Sequence, residues 1–154
     1  MARIQGEVLI RRPVEEVFDF VADERNEPTY NPNMLAADID FCMSECINRP
    51  DTPRAIVFDT VANTYKMIDT TTNATITDPG DGLPFLNDFA TGRTTQVAGV
   101  TITSVTMNGL PFTTLTFDSY GRPLITADML ITLSYAGKTM TVTVKQTTGD
   151  VTIQ

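Results

Sequence analysis

The chain has 154 residues, of which 42 % are hydrophobic and 19 % are charged, and its net charge is −8. This length and composition are typical of a folded domain with a buried core rather than of a disordered segment. The acidic balance argues against binding to nucleic acid or to an anionic membrane surface. There is no histidine, which removes the usual general base, the commonest metal ligand and every Ser-His or Cys-His nucleophile pair.

The composition changes sharply near Met34. Residues 1–34 carry five of the six glutamates, no lysine and a single threonine, Thr29. Residues 35–154 carry one glutamate, Glu45, and are rich in threonine and aspartate. The shift predicts two parts of different origin, residues 1–33 and residues 34–154. No run of 18 apolar residues occurs and the start is charged, so we expect neither a membrane span nor a signal peptide.

The first part is predicted to contain a strand followed by a helix. Residues 2–11 largely alternate between apolar and polar side chains, which is typical of a strand. Pro13 suits the first position of a helix, and Glu15 and Glu16 would lie in its favourable first turn. Two prolines in residues 26–33 predict an irregular connection.

A second helix is predicted over residues 34–48, capped by Asn33 and ended by Pro50. Its apolar stripe has a 4-3-4 spacing, whereas a second set of side chains falls mainly on the solvent side. The stripe comprises Leu35, Ile39, Cys42 and Cys46, and the solvent-facing set comprises Asp38, Asp40, Ser44 and Glu45.

Cys42 and Cys46 would share one helix face, because they are four residues apart. We interpret them as small core residues. A strained local disulfide remains an alternative, since the separation is near the upper limit of disulfide geometry. Two sulfurs without histidine do not favour a metal site.

The rest of the chain is predicted to be β-structure. The predicted strands are 54–59, 64–69, 72–77, 97–107, 112–117, 129–135, 139–145 and 151–154, with a long loop over 78–92. The predicted core comprises Leu35, Ile39, Cys42, Val57, Tyr65, Val100, Ile102, Leu115, Phe117, Ile131, Leu133, Val142 and Val144. The fold class is therefore α+β, with helix packed against antiparallel sheets.

The long loop holds the candidate metal ligands. Asp78, Asp81 and Asp88, together with Asn87, offer the oxygen ligands that calcium prefers. Their spacing does not match the EF-hand pattern, and a solvated turn explains the same residue types. The acidic pairs Glu15–Glu16 and Asp23–Glu24 are interpreted as solvated helix surface, so no catalytic or cofactor-binding residue is predicted.

Residues 3–33 resemble the opening of the START-like polyketide cyclase/dehydrase superfamily. The resemblance lies in the sequence RPVEEVF from Arg12 to Phe18 and in DERNEP from Asp23 to Pro28. It covers about a fifth of the chain, and the family's glycine-rich return and long C-terminal helix are absent. The resemblance implies a small-molecule binding or cyclase module, which we keep as the alternative function.

Residues 34–154 resemble the globular part of a GspH/FimT-type pseudopilin. The motifs begin with LAADI from Leu35 and MSECINRP from Met43, and the strongest is LTFDSYGRP over Leu115–Pro123. Three shorter segments follow in the family's order: Ile131–Leu133, Thr141–Val144 and the closing segment Thr148–Ile153. The long apolar N-terminal helix of that family is missing, and the strand–helix segment takes its place, which predicts an engineered or natural chimera.

The resemblance to pseudopilins implies a structural function rather than an enzyme. The domain would be the head of a minor pseudopilin that packs into a secretion or pilus filament or its tip. Its expected partners are other pseudopilins or pilins, and self-association is left open. The parent protein would belong to the bacterial periplasm or inner membrane, with the present chain soluble and without a cofactor.

Overall fold

The computed structural model describes residues 12–15, 34–80, 82–89 and 99–154. Within these ranges, helix α1 spans Met34–Asn48 and nine strands follow it. The strands are β1 (Arg54–Asp59), β2 (Thr64–Asp69), β3 (Leu86–Asp88), β4 (Thr101–Met107), β5 (Leu110–Pro111), β6 (Thr114–Thr116), β7 (Met129–Tyr135), β8 (Lys138–Val144) and β9 (Val151–Ile153). The α+β prediction is confirmed at this level.

In the described part of the chain, the strands form two antiparallel sheets. One has the order β3-β2-β1-β6, and the other has the order β5-β4-β7-β8-β9. Tight turns connect β4 to β5 and β7 to β8, and both contain backbone in the left-handed region. Asn108 and Gly109 have φ values of 53° and 73°, and Ala136 and Gly137 have 49° and 78°. Positive φ at both central residues is the geometry that joins twisted antiparallel strands closely.

Helix α1 lies against strands of both sheets, β1 and β9. The four residues of its predicted stripe, Leu35, Ile39, Cys42 and Cys46, are all buried. Because they recur every three to four residues, they form one continuous face. They join the side chains of both sheets in a single hydrophobic core.

The inner row of the four-stranded sheet is set by its register. Ile56 of β1 lies between Met67 of β2 and Leu115 of β6, and Phe58 lies opposite Tyr65. All five of these side chains are buried. Successive side chains on a strand point to opposite faces, so Val57 points away from this row and is only partly buried. The prediction that Val57 is a core residue was therefore wrong, because its neighbours Ile56 and Phe58 occupy the core face of the strand.

Other predictions differ in detail. Val100 is partly buried rather than in the core. The predicted strand over 72–77 is reduced to isolated bridges at Thr75 and Thr77. The segment predicted as a loop from residue 78 contains β3, which pairs with β2. The predicted strand over 112–117 is shorter, since β6 spans Thr114–Thr116.

Most of the N-terminal strand–helix prediction lies outside the described residues. Val14 and Glu15 are helical, which agrees with a helix that begins near Pro13. In the described ranges, no helix is both long enough and apolar enough to cross a membrane.

The structure predicts that residues 34–154 are sufficient to fold. The sheet pairings and the helix–sheet core found among the described residues all belong to this part of the chain. A protein that starts at Met34 should give a cooperative thermal melt and well-dispersed amide resonances. An unfolded Met34–Gln154 chain would instead show that residues 1–33 are required for the fold.

A second prediction concerns the buried face of α1. Ile39→Asp places a carboxylate where the side chain is fully buried, and such a group without a partner costs about 3–5 kcal/mol. Asp40→Ala is the matched control, because Asp40 is the next residue of the helix and is exposed. Partial desolvation of its carboxyl and the charge of Asp150 raise the pKa of Asp40, so its charge makes no favourable contact that the variant would lose. The control should change the free energy of unfolding by less than about 0.5 kcal/mol. Equal losses in urea denaturation would mean that the helix face is wrongly assigned.

Candidate functional site

The candidate calcium residue Asp78 lies in a tight turn. Its side chain is buried, and its Oδ1 accepts a hydrogen bond from the Gly80 N–H at 2.6 Å. Its backbone also closes the turn, because Asp78 N–H donates to Leu83 O and Gly82 N–H donates to Asp78 O. A carboxylate that accepts a backbone N–H two residues ahead in this way stabilises a turn without any ion.

Two of the other candidate ligands, Asn87 and Asp88, lie on strand β3. Asn87 is 1 % exposed and points towards α1, whereas Asp88 follows it on the strand and is half-buried. Within the described ranges, no three His, Cys, Asp or Glu side chains are grouped so that they could hold a metal ion. Asp81 lies outside those ranges, so the calcium site stays a prediction.

Asp38 connects α1 to the inner face of the sheet. Its Oδ2 accepts hydrogen bonds from the Tyr65 hydroxyl at 2.7 Å and from Asn87 Nδ2 at 3.0 Å. The prediction that Asp38 faces solvent was therefore wrong. The alternation of Phe85, Asn87 and Phe89 places a polar residue in an apolar row of the sequence, and the structure buries all three side chains. A polar residue in such a row requires a partner from the packed element.

Arg54 is a second buried polar group that sequence reasoning missed. Its Nη1 donates to Asp69 Oδ2 at 2.5 Å, across a directly opposed pair of β1 and β2. Its Nε is 3.9 Å from Glu45 Oε2 of α1, so Glu45 also does not belong to the solvent-facing set. The N–H groups of Thr71 and Thr72 and the Arg54 guanidinium lower the pKa of Asp69. The three charged side chains fix the end of the helix to the hairpin.

Cys42 and Cys46 are free and buried, as the interpretation as core residues predicts. Cys46 Sγ accepts a hydrogen bond from the Arg54 N–H at 3.2 Å, and its protonated form donates to Arg54 O at 3.3 Å. A hydrogen bond between the two cysteines and burial raise the pKa of Cys42. The hydrogen bond from Cys42, followed by backbone N–H groups, lowers the pKa of Cys46 to about 6. Cys46 is therefore the thiol of the pair that ionises first, and Cys42 stays protonated.

The motif Leu115–Pro123 forms a tight turn against α1. Asp118 Oδ1 accepts hydrogen bonds from the N–H groups of Tyr120 and Arg122, and Oδ2 accepts one from Arg122 Nε at 2.8 Å. Gly121 has a φ of 80°, and a Cβ there would lie 2.9 Å from Ile47 Cδ1. Only glycine therefore suits this position by both conformation and space. The turn leaves the Tyr120 side chain exposed.

The four-stranded sheet carries a groove on the face turned away from α1. Its volume is about 630 Å³, and we call it the outer groove. Its lining includes Val57, Asp59, Lys66, Leu86 and Thr113. The groove combines apolar, hydroxyl and charged side chains.

Comparison of the chain with family models, with curated proteins and with solved structures finds no match. The functional argument therefore depends on the geometry described above.

The cysteine pair generates a prediction on ionisation. Cys42→Ala removes the hydrogen bond that contributes most to the low pKa of Cys46, so this pKa should rise from about 6. Ultraviolet thiolate absorbance followed against pH measures the change. In the matched variant Cys46→Ala, Cys42 should remain protonated through neutral pH.

The same pair has a defined effect on stability. The folded-state pKa of Cys46 lies below the unfolded value, so its ionisation stabilises the fold above the unfolded pKa. This contribution is lost as pH falls through about 6. An unchanged titration of Cys46 in Cys42→Ala would contradict the assigned hydrogen bond.

Proposed function

We propose that residues 34–154 are the head domain of a minor pseudopilin, a structural protein that packs into a secretion or pilus filament or its tip. The observation that carries the proposal is the docking of α1. Its apolar stripe is buried on the sheets, and the glycine of the motif Leu115–Pro123 lies directly against its last turn. The residues that carry the family resemblance thus have a packing function.

The polar groups also support a structural function. Asp38 hydrogen-bonds to Tyr65 and Asn87 of the four-stranded sheet. At the other end of α1, Glu45 lies beside Arg54, which pairs with Asp69 across the hairpin. The chain has no histidine, and its cysteines are buried in the core. Polar groups that are paired in this way hold the helix in position on the sheet, which is a structural function rather than a catalytic one.

The proposed partners are other pilin-like subunits of the same bacterium, at the periplasmic side of the inner membrane. The test is to mix the purified full chain with the soluble head of each such subunit and to measure complex formation by size-exclusion chromatography and calorimetry. We expect a saturable complex with at least one of them. A matched control is the Ile39→Asp chain, whose disturbed helix docking should weaken the complex together with the fold.

The alternative, a START-like binding module, makes the opposite prediction. Fatty acids, sterols or aromatic polyketides would then stabilise the chain by about 2–3 kcal/mol at roughly 100 times the dissociation constant. Such stabilisation, combined with no complex with any pilin-like subunit, would overturn the proposed function. Under the pseudopilin proposal, thermal shift with these compounds should show no saturable change.

A further inference from the structure

The turn after strand β2 carries the sequence Asn73-Ala74-Thr75, which is an acceptor motif for N-linked glycosylation. The motif requires an asparagine, any residue except proline, and a hydroxyl residue two positions after the asparagine. The structure places Asn73 in an exposed turn, and Thr75 forms an isolated bridge with Ile68 of β2. An acceptor asparagine must lie at the surface if the folded protein is to carry a glycan, and Asn73 meets this condition.

The turn is held by groups other than the side chain of Asn73. Asp69 Oδ1 accepts hydrogen bonds from the N–H groups of Thr71 and Thr72, at 2.8 Å and 3.1 Å. The backbone N–H of Asn73 donates to Asp69 O at 2.8 Å, whereas its side-chain amide makes no hydrogen bond within the described part of the chain. Asn73 has a φ of 58°, a left-handed conformation that asparagine tolerates. Attachment of a sugar to its Nδ2 would therefore break no hydrogen bond of the described fold.

The other asparagines in the described ranges do not meet both conditions. Asn63 and Asn87 use their side-chain amides in hydrogen bonds within the fold. Asn48 and Asn108 are exposed, but neither is followed by a hydroxyl residue two positions later. Among the residues that the structure describes, Asn73 is thus the asparagine that combines an exposed, unengaged amide with the acceptor motif.

We propose that Asn73 is a site of N-linked glycosylation, with a lipid-pyrophosphate-linked oligosaccharide as the glycosyl donor. In the transfer, Asn73 Nδ2 forms a bond with C1 of the first sugar and loses one proton to a base of the transferase. The bond between C1 and the pyrophosphate oxygen breaks, and the lipid pyrophosphate leaves with the electron pair. The inference goes beyond the proposed function and does not depend on it. It requires that the chain meet the transferase outside the cytoplasm, because the motif is an acceptor in exported proteins.

Glycosylation of the purified full chain tests the proposal. The chain is refolded by dilution from urea together with a single-subunit oligosaccharyltransferase and a lipid-linked disaccharide donor, so that the motif is accessible both before and after the turn closes. Intact mass spectrometry should show one added glycan per chain, and peptide mapping should place it on Asn73. The glycosylated chain should melt within about 2 °C of the unmodified chain, because a change at an exposed position alters stability little.

Matched variants separate the chemistry of the site from its fold. Asn73→Asp keeps a residue type that tolerates positive φ but removes the amide, and it should abolish transfer. Thr75→Val keeps the β-branched shape but removes the hydroxyl and should also abolish transfer, whereas Thr75→Ser retains the hydroxyl and should retain transfer. Asn108→Asp is the control, because Asn108 is an exposed asparagine with a φ of 53° that lies outside the motif. This variant should be glycosylated like the wild type.

The proposal is overturned if the wild-type chain gains no glycan, or if Asn73→Asp gains it equally. Loss of the cooperative melt on glycosylation would also refute it, because the folded turn would then exclude the sugar. Transfer to Thr75→Ser but not to Thr75→Val supports the proposal and rules out misfolding as the cause of the loss, since both variants change the same side chain. Thermal melts of the unmodified variants verify that each is folded.

Discussion

The burial of one helix face against antiparallel strands determines the organisation of this protein. Ile39 and Cys42 lie fully buried in the core that also contains Ile56, Met67 and Leu115 of the four-stranded sheet. Neither a single helix nor a small sheet is stable in water without such a partner. The polar contacts between helix and sheet depend on this packing. They are lost when the helix leaves the sheet.

The polar groups of the interior refine this contact rather than compete with it. Asp38 accepts hydrogen bonds from Tyr65 and Asn87, and Arg54 pairs with Asp69 next to Glu45. A hydrophobic face alone would allow the helix to slide or rotate on the sheet. Directional bonds from Asp38 and Glu45 favour this register, because a displaced helix would separate Asp38 from Tyr65 and Asn87, and Glu45 from Arg54.

Much of this fold could be predicted because the periodic signals were strong. Helix α1 and the hairpin β1–β2 have the bounds that the sequence predicts, since the apolar spacing and the flanking prolines both mark them. Val57 was misplaced because Ala55–Phe58 is a continuous apolar run, in which alternation cannot tell the two faces apart. Strand β3 was missed because Pro, Gly and Asp surround its three residues. The burial of Asp38 and Arg54 depends on partners distant in sequence, which local patterns do not identify.

The side chain of Asn63 joins the two sheets. Its Nδ2 donates to Val100 O at 2.8 Å, and its Oδ1 accepts from the Ile102 N–H at 2.7 Å. Its own backbone has a φ of 58°, at the turn between β1 and β2. The side-chain amide of Asn63 thus makes the two hydrogen bonds with the start of β4 that the backbone of a neighbouring strand would make. The hairpin therefore cannot open without freeing backbone groups at the start of β4, so opening of one sheet is coupled to the other through this one side chain.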